Sequence, residues 1–122
     1  MPKKKLLNVT VRKRRWARGG KKGPSLMRNK DGNQCCLGFV GRACGYTPAE
    51  LETLGYPEDV VINAGKNLFP VGIVVSEMEW SYNSDLAADL IRINDDEGID
   101  DTERIERLTV LGREAGINFT FV

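Results

Sequence analysis

The two ends of the chain carry the same pattern, an apolar residue at every second position, and this limits the folds open to the sequence. Residues 7–11 read LNVTV and residues 117–121 read INFTF. Alternation with a period of two is typical of a strand that buries one face. The sequence therefore predicts a strand at each end of the chain, with both termini in one sheet.

Between the two strands, apolar residues recur at helical spacing. The pattern predicts helices over residues 34–44, 47–54, 83–93 and 102–115. Strands at the ends with helices between them predict an α+β fold, a small single-domain sheet packed against three to four helices. A chain of 122 residues supports one modest core and no second domain.

Local motifs refine these elements. Thr47, followed by Pro48 and by Glu50, predicts a capping box at a helix start. Gly38 and Gly41 weaken the first helix, which indicates close packing against another backbone. Three further segments are interpreted as strand-like, namely residues 25–28, 60–62 and 68–75, with Pro70 favouring an edge or irregular position.

The chain has no histidine, which removes Ser-His and Cys-His catalytic pairs and His-ligated zinc. Its three cysteines, Cys35, Cys36 and Cys44, lack the spacing and number of a zinc site, and reduced thiols of a cytoplasmic protein are the better interpretation. Cys35 at a helix start is a candidate low-pKa thiol, with a small buried hydrophobe as the alternative. We expect no enzyme, no catalytic residue, no metal and no cofactor.

The formal net charge is only +1, but the charges are unevenly distributed. Residues 1–30 hold twelve Lys and Arg and no acid, whereas residues 31–122 hold six Lys and Arg against seventeen Asp and Glu. The chain thus divides into a basic N-terminal strand and loop (1–30) and an acidic helical body (31–122). Such asymmetry favours binding of another macromolecule.

The basic block supplies the candidate binding residues. Its cations could contact phosphates, its glycines could bring backbone N–H groups to an anion, and Trp16 could stack on a base, although core packing is the alternative for Trp16. The Walker A pattern is absent. The candidate nucleic-acid or anion-binding residues are Arg12, Lys13, Arg14, Arg15, Trp16, Arg18, Gly19, Gly20, Lys21, Lys22 and Arg28.

The acidic stretch 95–103 does not match the ligand pattern of a calcium-binding EF-hand loop. With Gly98 at the sixth position of an EF-hand loop, the first position would be Ile93 and the twelfth Arg104, neither of which is a suitable ligand. A turn between helices with capping carboxylates is the favoured interpretation. Mimicry of nucleic-acid phosphates, or a docking face for a basic partner, is the alternative.

No window of the sequence reaches the roughly 18 consecutive apolar residues of a membrane span. The N-terminal residues also lack the continuous apolar region of a signal peptide. These features predict a protein that does not enter the membrane.

Several motifs resemble a family of small uncharacterised bacteriophage accessory proteins. The matching elements are W-x-R-G at residues 16–19, C-C-L-G-F at 35–39, A-C-G at 43–45, I-N-D at 93–95 and the terminal strand from Gly116. The dense Lys and Arg of residues 3–22 depart from the family pattern. The resemblance implies a phage protein in the cytoplasm of a bacterial host, and by analogy one that binds and disables a host component.

We therefore expect a non-enzymatic, phage-encoded binding protein for host takeover or anti-defence, which engages a host macromolecule or defence protein through charged surfaces. The alternatives are a nucleic-acid-binding module using residues 12–18, Lys21 and Lys22, and a protein that sequesters a small anionic nucleotide through Arg18, Gly19–Gly20 and Arg28. The partner's identity, the oligomeric state (a homo-oligomer is one option) and a role for the Cys35–Cys36 pair stay open.

Overall fold

The fold follows from a computed structural model, which describes residues 6–70, 72–74 and 84–122. Two strands and five α-helices lie in this part of the chain, together with a 3-10 turn at Lys13–Arg15. In chain order they are β1 (Leu7–Val11), α1 (Cys36–Ala43), α2 (Pro48–Leu51), α3 (Pro57–Ala64), α4 (Ser84–Asp95), α5 (Asp101–Glu114) and β2 (Ile117–Phe121).

The two terminal strands pair with each other, as predicted. β1 and β2 run parallel, with Leu7 opposite Ile117 and Val11 opposite Phe121. A parallel pair requires a crossover connection, and here nearly the whole chain forms it. The α+β fold class is confirmed, and the described part of the chain has five α-helices where three to four are predicted.

One core lies between this sheet and the helices α1, α4 and α5. The basic segment takes part in it, because Trp16, Ala17 and Met27 are fully buried. The indole of Trp16 packs against Phe121 of β2 with ring centroids 4.9 Å apart. The basic block and the acidic body are therefore parts of one domain.

The predicted helix signals are confirmed where the chain supplies caps. Thr47 and Glu50 form the capping box, with Thr47 N–H donating to Glu50 Oε1 at 2.9 Å and Glu50 N–H to Thr47 Oγ1 at 3.3 Å. Asp100 caps α5 by accepting from Glu103 N–H at 2.8 Å. α2 is nevertheless shorter than predicted and ends at Leu51.

The strand predicted at residues 60–62 is wrong, because these residues belong to α3. Pro57 occupies its first turn, with Glu58 and Asp59 near the positive end of the helix dipole. The left-handed Gly65 ends the helix. These helix signals outweigh the β-branched run Val60-Val61-Ile62.

The strands predicted at residues 25–28 and 68–75 are also wrong in the described part of the chain. Residues 25–28 form no strand; Arg28 makes an isolated bridge with Glu52. Residues 72–74 form a turn in which Ile73 N–H donates to Pro70 O at 2.8 Å. Residues 71 and 75, and the aromatic residues Trp80 and Tyr82, lie outside the described residues.

Candidate functional site

The basic residues that follow β1 are held at one end of the sheet. Lys13 N–H donates to Val122 O at 2.8 Å, and Val122 N–H donates to Val11 O at 2.9 Å. The chain then makes its 3-10 turn, and the side chains of residues 12–15 are all exposed. The sheet thus fixes the backbone while four cations face outward.

An asparagine-centred turn at residues 29–33 places Arg28 and Lys30 around the same cleft as Arg12 and Arg15. Asn29 Oδ1 accepts from the N–H groups of Asp31 and Asn33, both at 3.0 Å. Asn29 Nδ2 donates to Lys22 O at 2.9 Å. Gln34 N–H donates to Arg15 O at 2.9 Å, which joins this turn to the 3-10 turn.

We call the cations of these segments the basic face, because four of them line one cleft. It consists of exposed residues and the half-buried Arg28, and its members are Arg12, Lys13, Arg14, Arg15, Lys22, Arg28 and Lys30. Of the ion pairs in the described part of the chain, none involves any of these seven cations. Their charge is therefore available to an external anion.

The basic face contains an open cleft of about 430 Å³. It is lined by four cations, one acid, one amide, one glycine and one aromatic residue, which are Arg12, Arg15, Arg28, Lys30, Asp31, Gln34, Gly32 and Phe39. At Gly32, a β-carbon would lie 3.2 Å from Arg28 Nη2 and 4.0 Å from Arg15 Nη1. Two guanidinium groups thus face the same small volume.

Trp16 is not part of this surface. It is fully buried, and its Nε1–H donates to Asn94 Oδ1 at 2.8 Å. A ring enclosed in this way cannot stack on a base, so the core interpretation of Trp16 is confirmed and the stacking interpretation is corrected.

Arg18 is likewise withdrawn from the surface, since it is only 9% exposed. It forms a two-bond ion pair with Asp101, Nη2 to Oδ2 at 2.8 Å and Nε to Oδ1 at 3.3 Å. Its Nη1 donates to the carbonyls of Lys13 and Trp16, and its guanidinium lies 4.8 Å from the Trp16 ring centroid. The hydrogen bonds that Arg18 donates to Asp101 hold the pKa of Asp101 at about 2, below its ordinary value of 3.8.

Gly19, Gly20 and Lys21 form a tight turn against the acidic link between α4 and α5. Gly19 N–H donates to Asn94 O at 3.0 Å, so it does not face an external anion. A β-carbon on Gly20 would lie 2.6 Å from Glu97 Oε1, and Lys21 Nζ lies 3.8 Å from Asp101 Oδ2. The predicted anion nest at these glycines is therefore wrong, because acidic side chains occupy the neighbourhood.

The acidic link serves the ends of the helices, as the favoured interpretation held. Asp100 caps α5, and Asp96 Oδ1 accepts from Gly98 N–H at 2.8 Å. Arg104 closes the end of α4, with Nη1 donating to Ile93 O at 2.8 Å and to Asn94 O at 3.1 Å. Within the described residues, no group of three or more acidic or cysteine side chains is arranged to hold a metal ion.

The three cysteines are reduced, and none has the properties of an activated nucleophile. Cys35 does precede the first turn of α1, as predicted. Burial nevertheless raises its pKa to about 11, and burial also raises the pKa values of Cys36 and, to about 11, of Cys44. The expected lowering of the Cys35 pKa by the helix dipole is therefore overturned by desolvation.

The structure brings together three of the predicted binding residues, Arg12, Arg15 and Arg28, around the cleft. Sequence reasoning missed Lys30 and the aromatic Phe39. The sequence did indicate Lys30 as a candidate, because it lies two residues after Arg28 and within the turn-forming segment Asn29–Gly32. Phe39 gave no such signal, since its helical spacing predicts a core position.

In the described ranges, no helix combines the length and the apolar character needed to cross a lipid bilayer. Compared with protein-family models, with curated proteins and with solved structures, the chain has no significant match. The resemblance to small bacteriophage proteins therefore stays a prediction.

Proposed function

We propose that this chain is a non-enzymatic binding protein of bacteriophage origin, which engages an acidic surface of a host or defence protein in the bacterial cytoplasm. The observation that supports it is the basic face. Its seven cations lie in nearby segments, four of them line one cleft, and in the described residues none of the seven has an acidic partner within ion-pair distance.

Most cations elsewhere in the described residues form ion pairs with acidic side chains. Arg18, Lys21 and Arg104 share Asp101, and further pairs join Lys66 to Glu50 and Arg107 to Glu103. Because acids outnumber bases in residues 31–122, partners exist for most cations there. Concentrating unpaired positive charge on one face disfavours folding through mutual repulsion, so it supports a role in attracting an anionic partner.

A nucleic-acid backbone is the second candidate, supported by the arginines of the basic face. A guanidinium forms two parallel hydrogen bonds to a phosphate, and Arg12, Arg14, Arg15 and Arg28 offer four of them. Since Trp16 is buried, stacking on it contributes nothing. Binding of this kind would depend almost entirely on phosphate contacts and would weaken steeply with salt.

The test uses a tagged protein with Lys13→Gln, Arg14→Gln and Lys22→Gln, which removes charge from the basic face outside the cleft. A matched control carries Arg92→Gln, Arg107→Gln and Arg113→Gln, three exposed helical positions. Wild type and control are expected to capture the same partner from host lysate, and the basic-face variant to lose it at least tenfold. Purified partner then confirms direct binding.

Nuclease treatment of the lysate separates the two candidates. A protein partner survives the treatment, whereas capture through nucleic acid is abolished and the purified protein binds DNA with a strong salt dependence. Equal capture by the basic-face variant and the control, or no enriched partner with wild type, would show that the basic face is not a macromolecular binding surface.

A further inference from the structure

We propose that the cleft around Gly32 is a binding site for a mononucleotide, with Arg15 and Arg28 binding the phosphate and Phe39 contacting the base. This inference goes beyond the macromolecular partner proposed above. It shares with that proposal only the premise that the basic face binds anions.

The first argument is the convergence of the two guanidinium groups. Arg28 Nη2 and Arg15 Nη1 both lie within 4.0 Å of the position that a β-carbon would take on Gly32. Like charges brought to one place repel each other unless an anion lies between them. A phosphate at this position would accept hydrogen bonds from both groups.

The second argument is that the acidic groups nearby do not supply that anion. Asp31 lines the cleft, but no ion pair joins its carboxylate to Arg15 or Arg28 in the described part of the chain. Arg15 Nη1 reaches only the main-chain carbonyl of Asp31, at 3.4 Å. Glu52 is bridged to Arg28 through the backbone, and no ion pair joins their side chains in the described part of the chain.

The third argument is that the backbone already holds both arginines in place. Arg15 N–H donates to Arg12 O and Arg15 O accepts from Gln34 N–H, both at 2.9 Å. Arg28 O accepts from Thr53 N–H at 2.8 Å. Fixed backbone positions reduce the entropy lost when the side chains bind a ligand.

The size and walls of the cleft favour a nucleotide over a bare phosphate ion. A volume of about 430 Å³ falls within the range of small-molecule sites. Arg12 and Lys30 add charge to the lining, while the half-buried Phe39 offers an apolar surface. Aromatic rings stack on nucleobases of any identity, so the site selects a nucleotide without specifying its base.

Isothermal titration calorimetry tests this with the four nucleoside 5′-monophosphates, adenosine, ribose 5-phosphate and inorganic phosphate. We expect at least one monophosphate to bind at least tenfold more tightly than adenosine, ribose 5-phosphate or inorganic phosphate. Arg15→Gln and Arg28→Gln should each weaken binding tenfold or more, and Phe39→Leu should reduce the affinity to that of ribose 5-phosphate. Arg113→Gln and Arg92→Gln, at exposed helical positions outside the basic face, should leave it unchanged.

Absence of heat for every monophosphate overturns the inference, as does binding that survives both Arg15→Gln and Arg28→Gln in folded protein. Equal affinity for inorganic phosphate and the nucleotides would also overturn it. The macromolecular proposal fails separately, because its variants lie outside the cleft and its readout is partner capture. Arg28→Gln provides an independent test where Arg15→Gln does not fold.

Discussion

At the scale of single residues, Asp101 carries the most interactions of any carboxylate in the described chain. It lies at the start of α5, accepts two hydrogen bonds from Arg18, and also accepts from Arg104 Nε at 3.4 Å. These contacts hold its pKa at about 2, against 3.8 ordinarily. A carboxyl whose pKa is lowered on folding contributes stability above its unfolded pKa, and this contribution is lost as the pH falls toward the folded pKa.

We therefore expect Asp101→Asn to reduce the free energy of unfolding at pH 7 by about 2 kcal/mol. The difference from wild type should shrink between pH 4 and pH 2, where the native carboxylate itself becomes protonated. Urea unfolding across this pH range measures it. Asp89→Asn, which removes an exposed pair with Arg92, is the control and should change stability by less than about 1 kcal/mol. A constant difference down to pH 2 would contradict the assignment.

Asn94 illustrates what a sequence does not show at this scale. Its buried side chain joins three distant segments, with Oδ1 accepting from Trp16 Nε1 at 2.8 Å and Cys36 N–H at 3.0 Å and Nδ2 donating to Ala17 O at 2.9 Å. The three residues that follow it are acidic, which predicts an exposed turn. Only the tertiary arrangement determines that this particular asparagine is enclosed.

At the scale of elements, α1 packs directly on the segment that precedes it. A β-carbon on Gly38 would overlap the main-chain carbonyl of Met27, which confirms the predicted close approach to another backbone. Gly41 differs, because its nearest neighbour is the end of the Leu51 side chain, 2.9 Å from its β-carbon position. The prediction of backbone packing is therefore right for Gly38 and wrong for Gly41.

The substitution Gly38→Ala therefore tests how closely α1 approaches the backbone of Met27. In an isolated helix the change would stabilise by about 1 kcal/mol, but here the clash with Met27 should destabilise the protein by about 1–3 kcal/mol. Gly41→Ala is the matched control and should cost less, since the Leu51 side chain can rotate away. Urea unfolding compares the two, and a Gly38→Ala protein as stable as wild type would show that α1 does not approach Met27 this closely.

Sequence patterns predict most of the helices and strands, but not all of them. The terminal strands, α1, α4 and α5 follow from periodicity, and the start of α2 from its capping box. The β-branched run at residues 60–62 fits either a strand or a helix, and the preceding Pro57 and the acids of the first turn favour the helix. For the site, charge density indicated the basic segment, but which cations converge depended on the 29–33 turn.

At the scale of the whole molecule, folding divides the described cations of the basic block into two groups. Arg18 and Lys21 contact Asp101 of the acidic body, whereas the seven cations of the basic face do not pair within the described residues. The net charge of +1 thus reflects neither group. Internal neutralisation stabilises the domain, and the cations left without an acidic partner form the basic face.

The parallel pairing of the first and last strands predicts how stability is distributed. β1 and β2 separate only when the core between the sheet and the helices opens, because Val9, Val11, Ile117 and Phe119 are all buried in that core. By contrast, α3 buries only Pro57 and Val60, and its Ile62 is 76% exposed. Regions with few buried apolar contacts open locally at lower free energy than the core.

Native-state hydrogen exchange should therefore give the amides of β1 and β2 a common opening free energy, equal to that of global unfolding. The amides of α3 should exchange at least tenfold faster, which corresponds to a difference of about 1.4 kcal/mol or more in opening free energy. The helix α5, which packs against β2 and α4, serves as the internal control and should follow the strands. If β1 opened at lower free energy than β2, the two strands would not form one cooperative unit, and the terminal sheet would not be what closes the domain.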